Sequence, residues 1–144
     1  MQDHYNLIYR EEEWEMLPLC REEGIGAIPY SPLASGRLTR DWSSETTLRS
    51  ETDQVAKGKY DATAEQDRAI VERVAAIAKR HGLPHVQIAL AWLLQKSPVA
   101  APIIGATKIQ HLDDAVGALA VHLTPEEVTA LEEPYVPHPI VGHQ

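Results

Sequence analysis

Apolar residues follow two rhythms along this chain. Three short runs bounded by turn residues predict strands: Tyr5-Asn6-Leu7-Ile8-Tyr9, Ala27-Ile28-Pro29-Tyr30, and Val99 to Ile104. The first reads as the end of a strand that begins upstream of Met1. Elsewhere apolar residues recur at helical spacing. Trp14, Leu17 and Cys20 predict a helix from Arg10 to Glu23, with Pro18 as a kink or break, and Gly24-Ile25-Gly26 as its stop. Thr63-Ala64-Glu65-Gln66 reads as a capping box opening a helix with the stripe Ile70, Val71, Val74, Ile77 and Ala78, ended by Gly82. Pro84 suits the first turn of the next helix, which runs to about Gln95. Val86, Ile88, Leu90, Trp92, Leu93 and Leu94 surround that helix, so it should be buried. A helix from Ile109 to Leu119 carries Leu112, Val116 and Leu119 on one side. In Leu123-Thr124-Pro125-Glu126-Glu127-Val128, Thr124 is an N-cap, Pro125 sits at N1, Glu127 closes a capping box, and Leu123 and Val128 can form a hydrophobic staple.

Strands alternating with helices predict parallel βα units, an α/β fold. Nothing divides residues 1–144, which read as one domain with a proline-rich surface strap over 134–144. Residues 31–63 read as a long connection, of the kind that forms lids or stays disordered. Arg37, Arg40, Arg49, Lys57 and Lys59 make it less acidic than the rest.

Composition narrows the function. With 144 residues and 44% hydrophobic content the chain can bury a core. Its net charge of −8 argues against a nucleic-acid footprint, so an anionic ligand must be held by local features. The single cysteine, Cys20, permits no internal disulfide. No apolar run reaches the ~20 residues of a membrane span. Met1-Gln2-Asp3-His4 has no secretion-signal pattern, so a soluble, cytoplasmic protein is expected.

Two segments carry chemistry. In Ile28-Pro29-Tyr30-Ser31-Pro32-Leu33-Ala34-Ser35-Gly36-Arg37-Leu38 a strand runs into a polar loop opened by an aromatic ring. Such a loop suits stacking on a flat ligand, with backbone N–H groups behind it for an anion. In Ile103-Ile104-Gly105-Ala106-Thr107-Lys108 a glycine lies between a strand and a helix start. Helix N-termini offer unpaired N–H groups to anions, and Lys108 and His111 could add positive charge. Other residues have plain structural readings. The glutamates at 11, 12, 13 and 15 suit a helix start and a solvated face. His81 sits at a helix C-terminus, Cys20 reads as a small buried hydrophobe, and Trp92 as core. His138 and His143 have no partners at metal-site spacing.

These loops, with Gln2-Asp3-His4-Tyr5-Asn6-Leu7 upstream, resemble the aldo-keto reductases, and the resemblance covers nearly the whole chain. It implies the C-terminal half of a TIM (β/α)8 barrel, strands 6 to 8, with about three parallel strands and flanking helices. Such a barrel needs about 250 residues. The resemblance implies NADP(H) as cofactor and an NADP(H)-dependent reduction of small aldehydes or ketones to alcohols. It implies that Gln2 binds the nicotinamide carboxamide and that Tyr30 stacks on the nicotinamide ring. Ser31, Leu33, Ser35, Gly36 and Arg37 would cradle the pyrophosphate. Gly105, Ala106, Thr107, Lys108, His111 and Asp114 would hold the adenosine end.

The chain departs from the family at Thr107 or His111, where many members carry Arg for the 2′-phosphate, and at Ala115, where many carry Asn. NADP-over-NAD preference is therefore open. The family's catalytic Asp, Tyr, Lys and His precede this region and map onto none of its residues. Two alternatives follow: a non-catalytic dinucleotide-binding module resembling the potassium-channel β-subunits, or an inactive truncated product. An open sheet has unpaired edges, so self-association, or pairing with a missing N-terminal half, is expected.

Overall fold

The computed structural model describes residues 1–42 and 54–141. Arg49 and His143 lie outside them. Within the described residues are the helices α1 (Met16–Glu22), α2 (Gln54–Tyr60), α3 (Ala64–His81), α4 (His85–Leu94), α5 (Ile109–Gly117) and α6 (Pro125–Glu132). Short 3-10 turns cover Glu11–Glu13, Ala34–Gly36, Asp61–Thr63 and Ala118–Ala120.

The predicted strands shrink to isolated parallel bridges, His4 to Tyr30 and Ala27 to Val99. The N–H of Ile28 donates to the Met1 carbonyl at 2.7 Å and that of Tyr30 to Asp3 at 2.9 Å. On the other side Ala100 donates to Ala27 at 2.7 Å and Ile103 to Pro29 at 2.8 Å. Residues 27–30 thus lie between 1–4 and 99–103, and all three segments run in one direction.

The first segment is shifted from expectation. Its pairing ends at His4, and the run from Tyr5 to Tyr9 is not a strand. Asn6 and Tyr9 exchange two backbone hydrogen bonds at 3.1 Å, and the Asn6 side-chain oxygen accepts from the N–H of Ile8 at 3.0 Å. An Asn side chain closing on the backbone two residues ahead favours a turn over a strand. Tyr5, Leu7, Ile8 and Tyr9 enter the core from that turn.

Helix boundaries move for local reasons. The helix predicted over Arg10 to Glu23 divides into the Glu11–Glu13 turn and α1. The break falls before Pro18, which occupies the first turn of α1, where a missing N–H costs nothing. Within the long connection, Gln54–Tyr60 is helical, which its weak apolar periodicity did not reveal. Thr63 makes no side-chain cap; its hydroxyl donates to Asp67 at 2.8 Å instead. Gly82 ends α3 in the left-handed region at φ 66, as expected of a helix stop. Thr124 and Glu127 form the complete capping box that opens α6.

The core joins Tyr5, Leu7 and Ile8 to Ile70, Val74 and Ile77 of α3, Ile88, Trp92 and Leu93 of α4, and Leu131 of α6. Helices α4 and α5 approach so closely that a Cβ at Gly117 would stand 2.4 Å from the Gln87 amide nitrogen. On α5 the predicted stripe exists but faces outward: Ile109, Leu112 and Val116, with Leu119 beyond, are exposed. Ile28 and Ile103 on the paired segments are exposed as well.

Candidate functional site

Parallel pairing puts the ends of all three segments at one end of the molecule. His4 is bridged to Tyr30, and Ile103 is paired beside Pro29. The loop after Tyr30 and the loop after Ile104 therefore leave neighbouring segments on the same side. In parallel α/β folds this is where ligands gather.

Tyr30 is half-buried in an aromatic column. The His4 ring stacks on Tyr30 at 5.1 Å and 15°, and on Tyr9 at 4.2 Å and 17°. The Lys59 ammonium lies 4.8 Å from the Tyr30 ring centre. His4 Nε2 is 2.6 Å from the Tyr60 hydroxyl, which also accepts from the Asn6 amide at 3.3 Å. That amide reaches the Ser31 carbonyl at 2.9 Å as well. Burial, helped by the nearby Lys59 charge, pushes His4 down to about 4, so its ring is neutral. The Asn6 amide, a donor 3.5 Å from Nε2, marks that nitrogen as the acceptor, so Tyr60 donates to it. The ring proton then sits on Nδ1, a buried atom without a hydrogen-bond partner.

The loop from Ser31 to Gly36 is folded back on itself. Ser31, Ala34 and Ser35 adopt φ of 53, 50 and 55, and Gly36 has φ 93. A residue near the right-handed region followed by a left-handed one, as at Leu33 (φ −108, ψ 17) and Ala34, turns backbone N–H groups toward one side, the geometry of an anion-binding concavity. Part of that capacity is used internally, since Gly36 donates to Leu33 at 2.9 Å and Arg37 to Ala34 at 3.1 Å. The Arg37 guanidinium is paired with Asp61 and lies over the rings of Trp42 and Tyr60.

The second loop is open. Gly105, Ala106, Thr107, Lys108 and His111 are exposed, and a Cβ on Gly105 would meet nothing within 4 Å. Lys108 occupies the N-cap of α5 and makes no side-chain cap, leaving the helix start uncovered by its own side chain. His111 Nδ1 accepts from the Thr107 N–H at 3.4 Å, and Gln110 donates to Asp114 at 3.0 Å. Gln2 is exposed on the first segment.

The loops that begin at Ser31 and Gly105 thus leave adjacent segments at one end, while Gln2 lies within the first segment and Asp114 further along α5. His4, Asn6, Lys59 and Tyr60, which surround Tyr30, were not foreseen in the sequence. His4 had a signal: two residues after Gln2 on an extended segment, it shares that residue's face. Tyr60 had none, being brought in from 56 residues away.

A description of the Aldo/keto reductase family matches residues 1–135. The chain belongs to that family. Among its relatives, the versiconal hemiacetal acetate reductase of Aspergillus parasiticus is 45% identical over 141 residues, covering 97% of this chain and 41% of that protein. An aldo-keto reductase of Metarhizium robertsii is 42% identical, covering 99% of this chain and 38% of its own length. Another, of Alternaria alternata, is 41% identical, again covering 99% and 38%. This aldo-keto reductase chain therefore spans about two fifths of the curated relatives it matches.

The family implies a TIM barrel, generally with a nicotinamide cofactor and a carbonyl substrate. The observed site fits such a cofactor in part. Turned backbone at 31–36 and an uncapped helix start at Lys108 suit phosphates. Against this, Tyr30 already carries His4 and Lys59, and Arg37 is held by Asp61. Among the described residues of this aldo-keto reductase chain, no cluster of three metal-ligating side chains occurs, and no helix is long and apolar enough to cross a membrane.

Proposed function

We propose that this chain is the cofactor-binding, C-terminal part of an NADP(H)-dependent aldo-keto reductase that reduces aldehydes or ketones to alcohols. The carrying observation is the parallel pairing of 1–4, 27–30 and 99–103, which brings the Tyr30 and Gly105 loops to one end. These segments correspond to strands 6 to 8 of the barrel, with residues 1–144 forming one partial domain and 134–144 its tail. Gln2 and Tyr30 would hold the nicotinamide, and Ser31, Leu33, Ser35, Gly36 and Arg37 the pyrophosphate. Gly105, Ala106, Thr107, Lys108, His111 and Asp114 would hold the adenosine phosphate end. Bound NADPH supplies a hydride to the carbonyl carbon.

These residues orient the cofactor and do not transfer the proton. Tyr60 beside His4 and Lys59 has a suggestive composition, but its side chain is fully buried and its pKa is raised, chiefly by that burial. The catalytic set belongs to the part of the barrel that this chain does not include. The exposed Ile28, Ile103 and α5 stripe are where that part packs. Alone, the chain self-associates through them.

A second reading, a chain with no binding of its own, is favoured by the groups already covering Tyr30 and Arg37. Titration with NADPH, and with NADH alongside, followed by tryptophan emission, separates the two. Saturable micromolar binding that weakens in Tyr30→Ala supports the cofactor half. A folded chain that binds neither nucleotide leaves the second reading standing.

A further inference from the structure

A buried charge pair joins the C-terminal tail to α3, beside hydrogen bonds from the Arg10 N–H to the Tyr135 hydroxyl and from the Val141 N–H to the Tyr9 hydroxyl. His138 Nε2 lies 2.8 Å from Asp67 Oδ1, and Nδ1 lies 2.6 Å from the Val136 carbonyl. The two side chains are 2% and 1% exposed. Both ring nitrogens face acceptors, an arrangement that only the doubly protonated imidazolium satisfies. A neutral ring would turn a lone pair toward a carboxylate or a carbonyl. The second carboxylate oxygen of Asp67 accepts the Thr63 hydroxyl at 2.8 Å.

Other charged and titratable groups surround the pair. Glu11 accepts the His138 N–H and the Tyr135 hydroxyl, each at 2.7 Å. Tyr135 stacks on His138 at 5.3 Å, and Tyr9 meets it edge-on at 6.4 Å. The Arg10 guanidinium lies 4.9 Å from the Tyr135 ring centre, and the Glu12 charge acts on Tyr9. Burial opposes the charged form of His138. The hydrogen bond and charge of Asp67, with Val136 and Glu11, outweigh it and raise the group above its ordinary 6.5.

We propose that His138 and Asp67 form a protonation-controlled clasp, which holds residues 134–141 against α3 and the Glu11–Glu13 turn and releases them when the imidazolium loses its proton. A raised histidine stabilises fully below its unfolded value and loses that contribution as pH rises through the folded one. The tail is therefore closed in mild acid and opens on the alkaline side. Tyr9 supports both His138 and His4, so opening also removes one neighbour of the column beneath Tyr30.

Hydrogen exchange of the whole chain, read by mass spectrometry and corrected for intrinsic pH dependence, tests the clasp without any cofactor. Peptides covering 134–141 should lose protection in a one-proton step above about 6.5, while α3 and α4 peptides stay protected. Asp67→Asn keeps the shape but removes the charge and should move the step to lower pH. His138→Phe should abolish it. No step, or an unmoved step in Asp67→Asn, overturns the proposal. If Asp67→Asn unfolds, its α3 peptides report it, and the ring nitrogens of the native chain decide by NMR: two protonated nitrogens persisting above about pH 6.5 support the clasp, and loss of one at or below that pH overturns it.

Discussion

The Tyr60 hydroxyl donates to Nε2 of His4 at 2.6 Å, joining helix α2 to the residue that stacks beneath Tyr30. Tyr60→Phe would leave the buried Nε2 with only the long 3.5 Å contact of the Asn6 amide, beside an Nδ1 that has no partner. The expected cost is about 1–3 kcal/mol, read as a lower urea midpoint with unchanged slope. His4→Phe keeps a ring in the column and removes the orphan Nδ1 but leaves the buried Tyr60 hydroxyl without its acceptor, so it should cost a comparable amount. A much smaller loss in His4→Phe would show that the stack, which Phe keeps, and not the hydrogen bond, holds α2.

Glu132 ties three elements together. Its Oε1 accepts from Trp92 Nε1 at 2.8 Å and pairs with Lys96, while Oε2 lies 3.5 Å from Arg10. Glu132→Ala strands the buried indole N–H and should cost about 1–3 kcal/mol. Glu132→Gln retains an acceptor and should cost clearly less. Thermal unfolding of the two variants side by side checks the order.

Acid should attack the chain at Glu13. Burial raises this carboxyl, but Arg10 at 2.7 Å and the Tyr5 hydroxyl at 2.5 Å outweigh it and hold it below 4.5. A depressed carboxylate stabilises above its unfolded value and loses that contribution as pH falls through its folded one. Unfolding midpoints should therefore fall below about pH 4.5, and Glu13→Gln should flatten that limb. An unchanged acid limb in Glu13→Gln would place the acid sensitivity elsewhere.

Capping gives the simplest stability test. Thr124 accepts from the Glu127 N–H at 3.2 Å while the Glu127 carboxylate accepts from the Thr124 N–H at 3.0 Å. Thr124→Ala should cost about 1 kcal/mol in denaturant unfolding.

The outward stripe on α5 should govern association. Val116→Lys places a charge on that stripe without touching the core and should raise solubility and lower the mass seen by light scattering. A native chain that is already a clean monomer would refute the association itself.

Local sequence determined those elements whose physics is local. The stripe from Ile70 to Ala78 and its stop at Gly82 needed only helical spacing and a residue at ease with positive φ. The box at Thr124 and Glu127 needed only two side chains three residues apart. The candidate cofactor loops were proposed for a similar reason, each being a short extended segment running into a glycine-containing turn.

Tertiary structure alone decided the partners. Glu11 and Glu13, read as a solvated face, are committed to His138, Tyr135 and Tyr5. Arg37, read as free for phosphate, is taken by Asp61, and Tyr30 is shared with His4 and Lys59. These pairs join residues 8 to 127 apart along the chain. Hydrophobic period records which face of an element turns inward, but not which distant charge or ring it will meet there.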